Sequence, residues 1–247
     1  KEGPSAIAYP FDVRMAVAAV RYHRTSARVL WELFRSPARR LEPLYVDLGT
    51  AIGADTRSWL WDGASISVQA YGVEDFAAGS RQVVGTVKNA LIDGARGRGM
   101  RLVVDPERPD LVFDVRLVND CVSVSLDLAG RPMHQRGYRH ASGVAPLRED
   151  LAALMLMLAR HDSRREILLD PMAGSGTVAI EAASMSRARY NWCSGRAPLC
   201  GNWPLFREHM SVKARPLFAD TAPLVIANEA DADTFEIALR NAETAGV

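Results

Sequence analysis

The sequence predicts two folded parts of different class. A small α+β module over roughly residues 50 to 130 is followed, from Ile167, by the opening of a parallel, doubly wound α/β sheet. Three observations carry this. The runs "LVFDVRLV" and "CVSVSLDLAG" alternate apolar and polar residues about Asn119-Asp120, which marks an antiparallel hairpin. A strand and then a helix precede the hairpin, the grammar of an α+β unit. Further on, "ILLD", a glycine turn, an alanine-rich helix, the strand "LVIANE" and the helix "DTFEIALRNAETAG" follow in β-α-β-α order.

Each element has its own signal. Residues 25 to 35, "TSARVLWELFR", place Ala27, Leu30, Trp31 and Phe34 at helical spacing behind a Thr-Ser cap, which predicts an amphipathic helix broken by "SPARRLEP". "ASISVQAYG" alternates Ile66, Val68 and Ala70 with polar neighbours, a strand. In "SRQVVGTVKNALIDGAR" Val84, Val87 and Leu91 mark a helix face, ended by Gly94, Gly97 and Gly99. Within the hairpin Leu111, Phe113, Val115 and Leu117 share one side of the first strand, and Val122, Val124 and Leu126 one side of the second. The polar, basic "RPMHQRGYRHASGVAPLRED" reads as a hinge. It leads into "LREDLAALMLMLAR", where Leu147, Leu151, Leu154 and Leu158 line one helical face. Between the helix "TVAIEAASMSRA" and the strand "LVIANE" lies an irregular stretch containing Trp and Pro.

Composition bounds the function. At 247 residues and 48% apolar content the chain can bury a substantial core. No window approaches the roughly eighteen apolar residues of a membrane span, and the start lacks a leader's basic-then-apolar layout, so the expected compartment is the cytoplasm. The net charge of +1 announces no global field, and contact with nucleic acid must come from a local patch. Cys121, Cys193 and Cys200 form neither a disulfide framework nor a C-x-x-C pair, so no metal is expected. The chain begins at Lys and stops at "NAETAGV", just past a helix; both ends predict a fragment.

The stretch "LLDPMAGSGTVAIEAA" can serve three ligand classes. A P-loop needs G-x-x-x-x-G-K-[ST], and no lysine follows Gly174 or Gly176. Gly174, Gly176 and Ala179 fit a dinucleotide G-x-G-x-x-A. However, Asp170 at the strand end repels a pyrophosphate, and Glu229 lies much further on than the usual acid at about 20 residues. The third class, S-adenosyl-L-methionine, suits both acids. Asp170 favours its ammonium end, Glu229 accepts from two ribose hydroxyls, the helix N-terminus takes the carboxylate, and the two glycines permit close approach. The bland alternatives are a mere tight crossover capped by Asp170, a helix cap at Asp231 or Asp233, and an exposed helix carboxylate at Glu181.

With Arg-Gly-Tyr-Arg at Arg136 to Arg139, Ala-Pro-Leu-Arg-Glu at Ala145 to Glu149, D-P-M-x-G-S-G-T at Asp170 to Thr177 and "IEAA" at Ile180 to Ala183, the chain resembles the THUMP-domain RNA methyltransferases, bacterial 23S rRNA guanine-N2 type. The family usually carries cysteine where Ala173 stands, and its D-x-D pattern corresponds to Glu229-Ala230-Asp231 before "ALRNA". The resemblance implies an N-terminal ferredoxin-like part over residues 1–48, a THUMP domain over 49–130, a hinge and linker helix over 131–160 and the first part of a Rossmann-like class I methyltransferase fold over 161–247. It implies a cofactor site drawn from Pro146 and Leu147, from Asp170 and Pro171, and from Ala173, Gly174, Ser175, Gly176 and Thr177, with Glu181 and Glu229. For RNA it points to Arg81, Lys88, Arg96 and Arg98 on or after one helix. Arg136, Tyr138, Arg139 and His140 in the hinge join them, since cations hold phosphates and an aromatic with guanidinium groups suits unpaired bases.

Methylation of an exocyclic amine in this family uses an Asn- or Asp-Pro-Pro-Tyr-type motif, which the 247 residues lack. "NWPL" at Asn202 to Leu205 precedes the second strand and has no paired prolines. The chain is therefore expected to lack the catalytic motif, and no catalytic residue is assigned. The leading expectation is guanine-N2 methylation in 23S rRNA. The alternatives are a tRNA guanine-N2 methyltransferase and a noncatalytic RNA-binding module.

Overall fold

The computed structural model describes residues 6–37, 40–73, 76, 78–118, 121–140, 146–193, 197–211, 222 and 224–247. Two compact units interleave along the chain, one of residues 1–13, 30–130 and 199–211, the other of residues 14–29, 131–198 and 212–247.

The first unit is built on a five-stranded sheet in the order β1-β5-β4-β2-β3. Its elements are β1 (Leu30–Ser36), α2 (Leu41–Ala54), β2 (Ser65–Tyr71), α3 (Ser80–Gly97), β3 (Val103–Val104), β4 (Leu111–Val118) and β5 (Cys121–Asp127). The hairpin strands pair antiparallel with Phe113 opposite Leu126 and Val115 opposite Val124, as the alternation predicts. Their turn, Asn119-Asp120, lies outside the described residues. Leu111, Phe113, Val115, Val122, Val124 and Leu126 are all fully buried, together with Leu44 and Leu48 of α2 and Val83, Val87 and Leu91 of α3. The buried stripe of α3 thus begins at Val83 rather than at Val84.

Two expectations change here. Residues 30–36 are a strand, not part of a helix over 25 to 35: β1 runs antiparallel to β5, with Trp31 opposite Leu126 and a bulge between Glu32 and Phe34. Trp31 and Ser36 are buried while Glu32 is exposed. Aromatic and aliphatic residues that match a helical period equally suit a sheet, and the waiting edge of β5 decides. A separate body over residues 1–48 is not found either. Its boundary falls inside α2, and residues 14–29 belong with the C-terminal unit.

Residues 199–211, part of the irregular stretch between the helix "TVAIEAASMSRA" and the strand "LVIANE", belong to the first unit. They form a 3-10 turn (Leu199–Asn202) and α6 (Pro204–Ser211). Trp203 is fully buried, donates its indole N–H to the Asp110 carbonyl at 2.8 Å, and packs edge-on to Phe206. The "NWPL" tetrapeptide is accordingly a packing element.

Helices α2 and α3 approach closely at glycine. A Cβ on Gly94 would stand 2.8 Å from the Gly49 carbonyl oxygen and 2.9 Å from the Ile52 Cβ. Gly94→Ala is expected to destabilise the unit by about 1–2 kcal/mol, an overpacking cost of roughly 1–3 kcal/mol partly offset by about 1 kcal/mol of helix propensity. Urea unfolding measures this, and an unchanged midpoint would show that the helices separate freely.

The second unit contains α1 (Val13–Tyr22), α4 (Glu149–Leu158), β6 (Leu168–Asp170), α5 (Thr177–Ser186), β7 (Val225–Ala227) and α7 (Ala232–Ala245). β6 and β7 pair in parallel, Leu168 with Val225 and Asp170 with Ala227, as β-α-β order requires. Leu169 and Ile226 remain 63% and 47% exposed. In α4 the buried apolar side chains are Ala152, Ala153 and Leu156, whereas Leu151, Leu154 and Leu158 are exposed, the reverse of the predicted face. Small residues let α4 approach α5 closely, so apolar size is a poor guide to its inward side. No described helix is long and apolar enough to cross a membrane.

Candidate cofactor site at the glycine turn

Strand β6 ends at Asp170, and the chain turns through Pro171 and Met172 before entering α5. Asn228 N–H donates to the Asp170 carbonyl at 2.8 Å, and Ala173 N–H to the Asn228 carbonyl at 2.9 Å. These two bonds lock the turn to the end of β7. Gly174 and Gly176 both take left-handed backbone, φ 55° and 85°, which glycine adopts without the Cβ penalty. They differ in surroundings. A Cβ on Gly176 would meet Ala238 and Ile180 at 3.3 Å, so this glycine serves packing; a Cβ on Gly174 would meet nothing within 4 Å. Open space therefore lies over Gly174.

Two carboxylates border that turn. Asp170 is half-buried, and no group among the described residues bonds its carboxylate. Glu229 accepts from Gly174 N–H at 2.8 Å through one oxygen and from Asp231 N–H at 3.1 Å through the other. These N–H donors, Asp231 first and Gly174 next, hold its carboxyl below the usual glutamate range. Each oxygen retains one lone pair, so Glu229 can still accept from two hydroxyls. Asp231 caps α7 by accepting from Thr234 N–H at 2.8 Å, which settles the cap in favour of Asp231 over Asp233. Helix α5 begins at Gly176 without a side-chain cap and without an acid in its first turn. Its free N–H groups suit a carboxylate.

The remaining motif residues form a frame behind the turn. Ser175 and Thr177 are buried. Arg139 donates through Nε to Glu149 at 3.1 Å, and through one terminal nitrogen to the Leu147 carbonyl at 2.8 Å and to the Thr177 hydroxyl at 3.1 Å. Asn241 of α7, 1% exposed, donates to the Ser175 carbonyl at 3.0 Å and accepts from His140 N–H at 3.0 Å. The "ALRNA" signature thus fastens the turn to the hinge, a role its sequence does not announce. Pro146 and Pro171 are exposed, and Leu147 is half-buried with its carbonyl committed to Arg139. Ala145 lies outside the described residues.

Glu181, Arg136, Tyr138 and Arg139 are corrected. Glu181 is fully buried and accepts from Arg24 at 3.0 Å and from Arg136 at 3.3 Å, so it is a structural counter-ion and not a cofactor contact. Arg136 and Tyr138 are each 2% exposed, and Arg139 is engaged by Glu149, so none of them is a solvated surface group. Burial, then the Glu181 carboxylate, push the Tyr138 phenol well above its ordinary value and keep it neutral. Arg24 completes this cluster from the N-terminal segment; no local pattern marks it, because its partner is 157 residues away. On α3 Arg81 and Arg96 are exposed, with Arg96 paired to Asp93 at 2.7 Å, and Lys88 and Arg98 are half-buried. The imidazole of His140 bonds the Thr244 hydroxyl. Among the described residues no group of three or more His, Cys, Asp or Glu can hold a metal ion.

Comparison with known proteins places this geometry. Residues 136–247 match the family described as UPF0020, RMKL-like, methyltransferase domain. The ribosomal RNA large subunit methyltransferase K/L of Alteromonas mediterranea is 36% identical over 190 residues, 76% of this chain but 27% of the relative. The chain thus spans about a quarter of that relative's length. Among solved structures, a predicted N6-adenine-specific DNA methylase from Listeria monocytogenes superposes with a TM-score of 0.75 at 25% identity, covering 96% of this chain and 62% of that one. SMU.472, a putative methyltransferase complexed with SAH, gives 0.75 at 24%, covering 95% and 63%. From Arg136 onward the chain has a methyltransferase-like α/β fold, similar to the RMKL-like methyltransferase domain.

Proposed function

We propose that the chain is part of an S-adenosyl-L-methionine-dependent methyltransferase that modifies guanine N2 in 23S ribosomal RNA. The observation that carries the cofactor reading is the open space over Gly174, bordered by the unpartnered Asp170 carboxylate and by the two spare lone pairs of Glu229. Asp170 attracts the methionine ammonium, the uncapped α5 N-terminus takes its carboxylate, and Glu229 accepts from the ribose hydroxyls. The bound cofactor supplies an electrophilic methyl group; these residues orient it. Ribosomal RNA as substrate is supported by the similarity to the Alteromonas ribosomal RNA large subunit methyltransferase. The first unit is read as the RNA-binding part, with the exposed Arg81 and Arg96 of α3 and the half-buried Lys88 and Arg98 as its cations. The 247 residues contain no Asn/Asp-Pro-Pro-aromatic motif, so the methyl acceptor's own contacts are not assigned to any residue.

Gly174→Ala tests the site. Its methyl group enters the open space, so affinity for S-adenosylhomocysteine by calorimetry is expected to fall at least about 100-fold. The left-handed backbone adds a strain cost of about 1–2 kcal/mol. Unchanged affinity would place the cofactor elsewhere. In parallel, labelled methyl donor with the full-length protein is expected to label deproteinised 23S rRNA; label confined to bulk tRNA would overturn the substrate assignment.

A further inference from the structure

The second unit contains a cavity of about 320 Å³. That volume lies at the low end of the roughly 300–1,000 Å³ of small-molecule sites. Its walls include Arg24, Arg136, Arg189, Tyr190, Trp192 and Ser184. Ser184 lies seven residues along α5 from Thr177, roughly 10 Å of helix axis. The cavity is therefore separate from the cofactor site.

Its chemistry is unusual in two respects. Beneath it, the guanidinium groups of Arg24 and Arg136, each under 4% exposed, share the single Glu181 carboxylate, so the buried cluster carries one positive charge in excess. The other donors of Arg24 go to the Arg189 and Tyr190 carbonyls, and its Nε is a buried N–H with no partner. Excess buried charge is costly unless an anion joins it. At the rim Arg189 adds a further cation, exposed and held by the Gly246 carbonyl at 3.0 Å. The second feature is aromatic. Tyr190 and Trp192 stack with ring centroids 5.1 Å apart, both partly exposed, and Arg21 lies over the Tyr190 ring at 5.2 Å. Partly exposed aromatic rings beside guanidinium groups match a nucleobase joined to a phosphate.

We propose that this cavity holds one unpaired nucleotide, its base against the Tyr190–Trp192 platform and its phosphate on Arg189 above the excess charge of Arg24 and Arg136. The nucleotide is a docking contact and not the one methylated, since it sits far from the cofactor turn. That it belongs to an RNA strand rests on the function proposed above; the pocket chemistry does not.

The test uses the chain as it stands, with Trp192→Ala and Arg189→Glu as variants. A labelled ten-nucleotide single-stranded RNA is followed by anisotropy, adenosine and uridine 5′-monophosphates by calorimetry, and S-adenosylhomocysteine as a control. Each variant is expected to weaken RNA and mononucleotide binding about tenfold or more, with S-adenosylhomocysteine affinity unchanged. Mononucleotide binding that both variants weaken, without RNA binding, supports the pocket and assigns its ligand to free nucleotides. Binding that neither variant alters, or none to millimolar concentration, overturns the proposal. Nucleotide binding without S-adenosylhomocysteine binding would sink the methyltransferase reading while leaving this one standing. Arg189 is exposed, so its variant reports even if Trp192→Ala fails to fold.

Discussion

Glu181→Ala is expected to lower the stability of the chain by about 3–5 kcal/mol, the largest loss of any single substitution considered. The carboxylate is fully buried and is the acid shared by Arg24 and Arg136. Removing one partner of a buried ion cluster leaves the other charges without compensation, and the desolvation penalty then falls on the folded state alone. Glu181→Gln keeps the volume and one acceptor, and is expected to fall between wild type and Glu181→Ala. Urea unfolding of the three proteins measures the series. A loss under about 1 kcal/mol for Glu181→Ala would mean that water or an anion replaces the carboxylate at no cost.

Glu229→Ala is expected to weaken S-adenosylhomocysteine binding about 10- to 100-fold, from the loss of an ionised acceptor for two hydroxyls. The pH dependence has a definite sign. Backbone N–H donors depress the folded-state pKa of Glu229, so its contribution is complete above the ordinary glutamate value and is lost as pH falls through the depressed one. Wild-type affinity is therefore expected to stay flat from neutrality down through the ordinary glutamate range and to decline only on its acid side. Glu229→Gln should lack that acid-side decline if Glu229 is its source. Calorimetry across pH on both proteins reads it; the same decline in both would assign the titration to another group.

Legibility in the sequence followed the range of the interactions. The hairpin, α3, β6, α5, β7 and α7 are all visible, because alternation or helical spacing and a flanking turn lie within each segment. The glycine turn is equally local: Asp170 ends β6 and Gly174 and Gly176 take left-handed backbone, and Glu229 meets Gly174 at the strand ends because β6 and β7 are adjacent. Residues 30–36 fail this test, since their period fits a helix and only the edge of β5 selects a strand. Helix α4 fails for another reason: its inward face is chosen by close approach of alanines, not by leucine.

The motifs from Arg136 to Glu181 show the same division at the level of function. Sequence alone determined that arginines, a tyrosine and glutamates recur at fixed places around a glycine turn that suits S-adenosyl-L-methionine better than a phosphate. Only the tertiary structure decided what those arginines do. Arg136 and Arg139 face inward because Glu181 and Glu149 are buried acids that require compensation, and a charge removed from water takes the nearest opposite charge before any external ligand. The identity of Arg24 as the second counter-ion, and the positive excess that results, depend on a segment far away in the chain. Pairing over such a distance leaves no periodicity in sequence, because folding alone brings the two charges together.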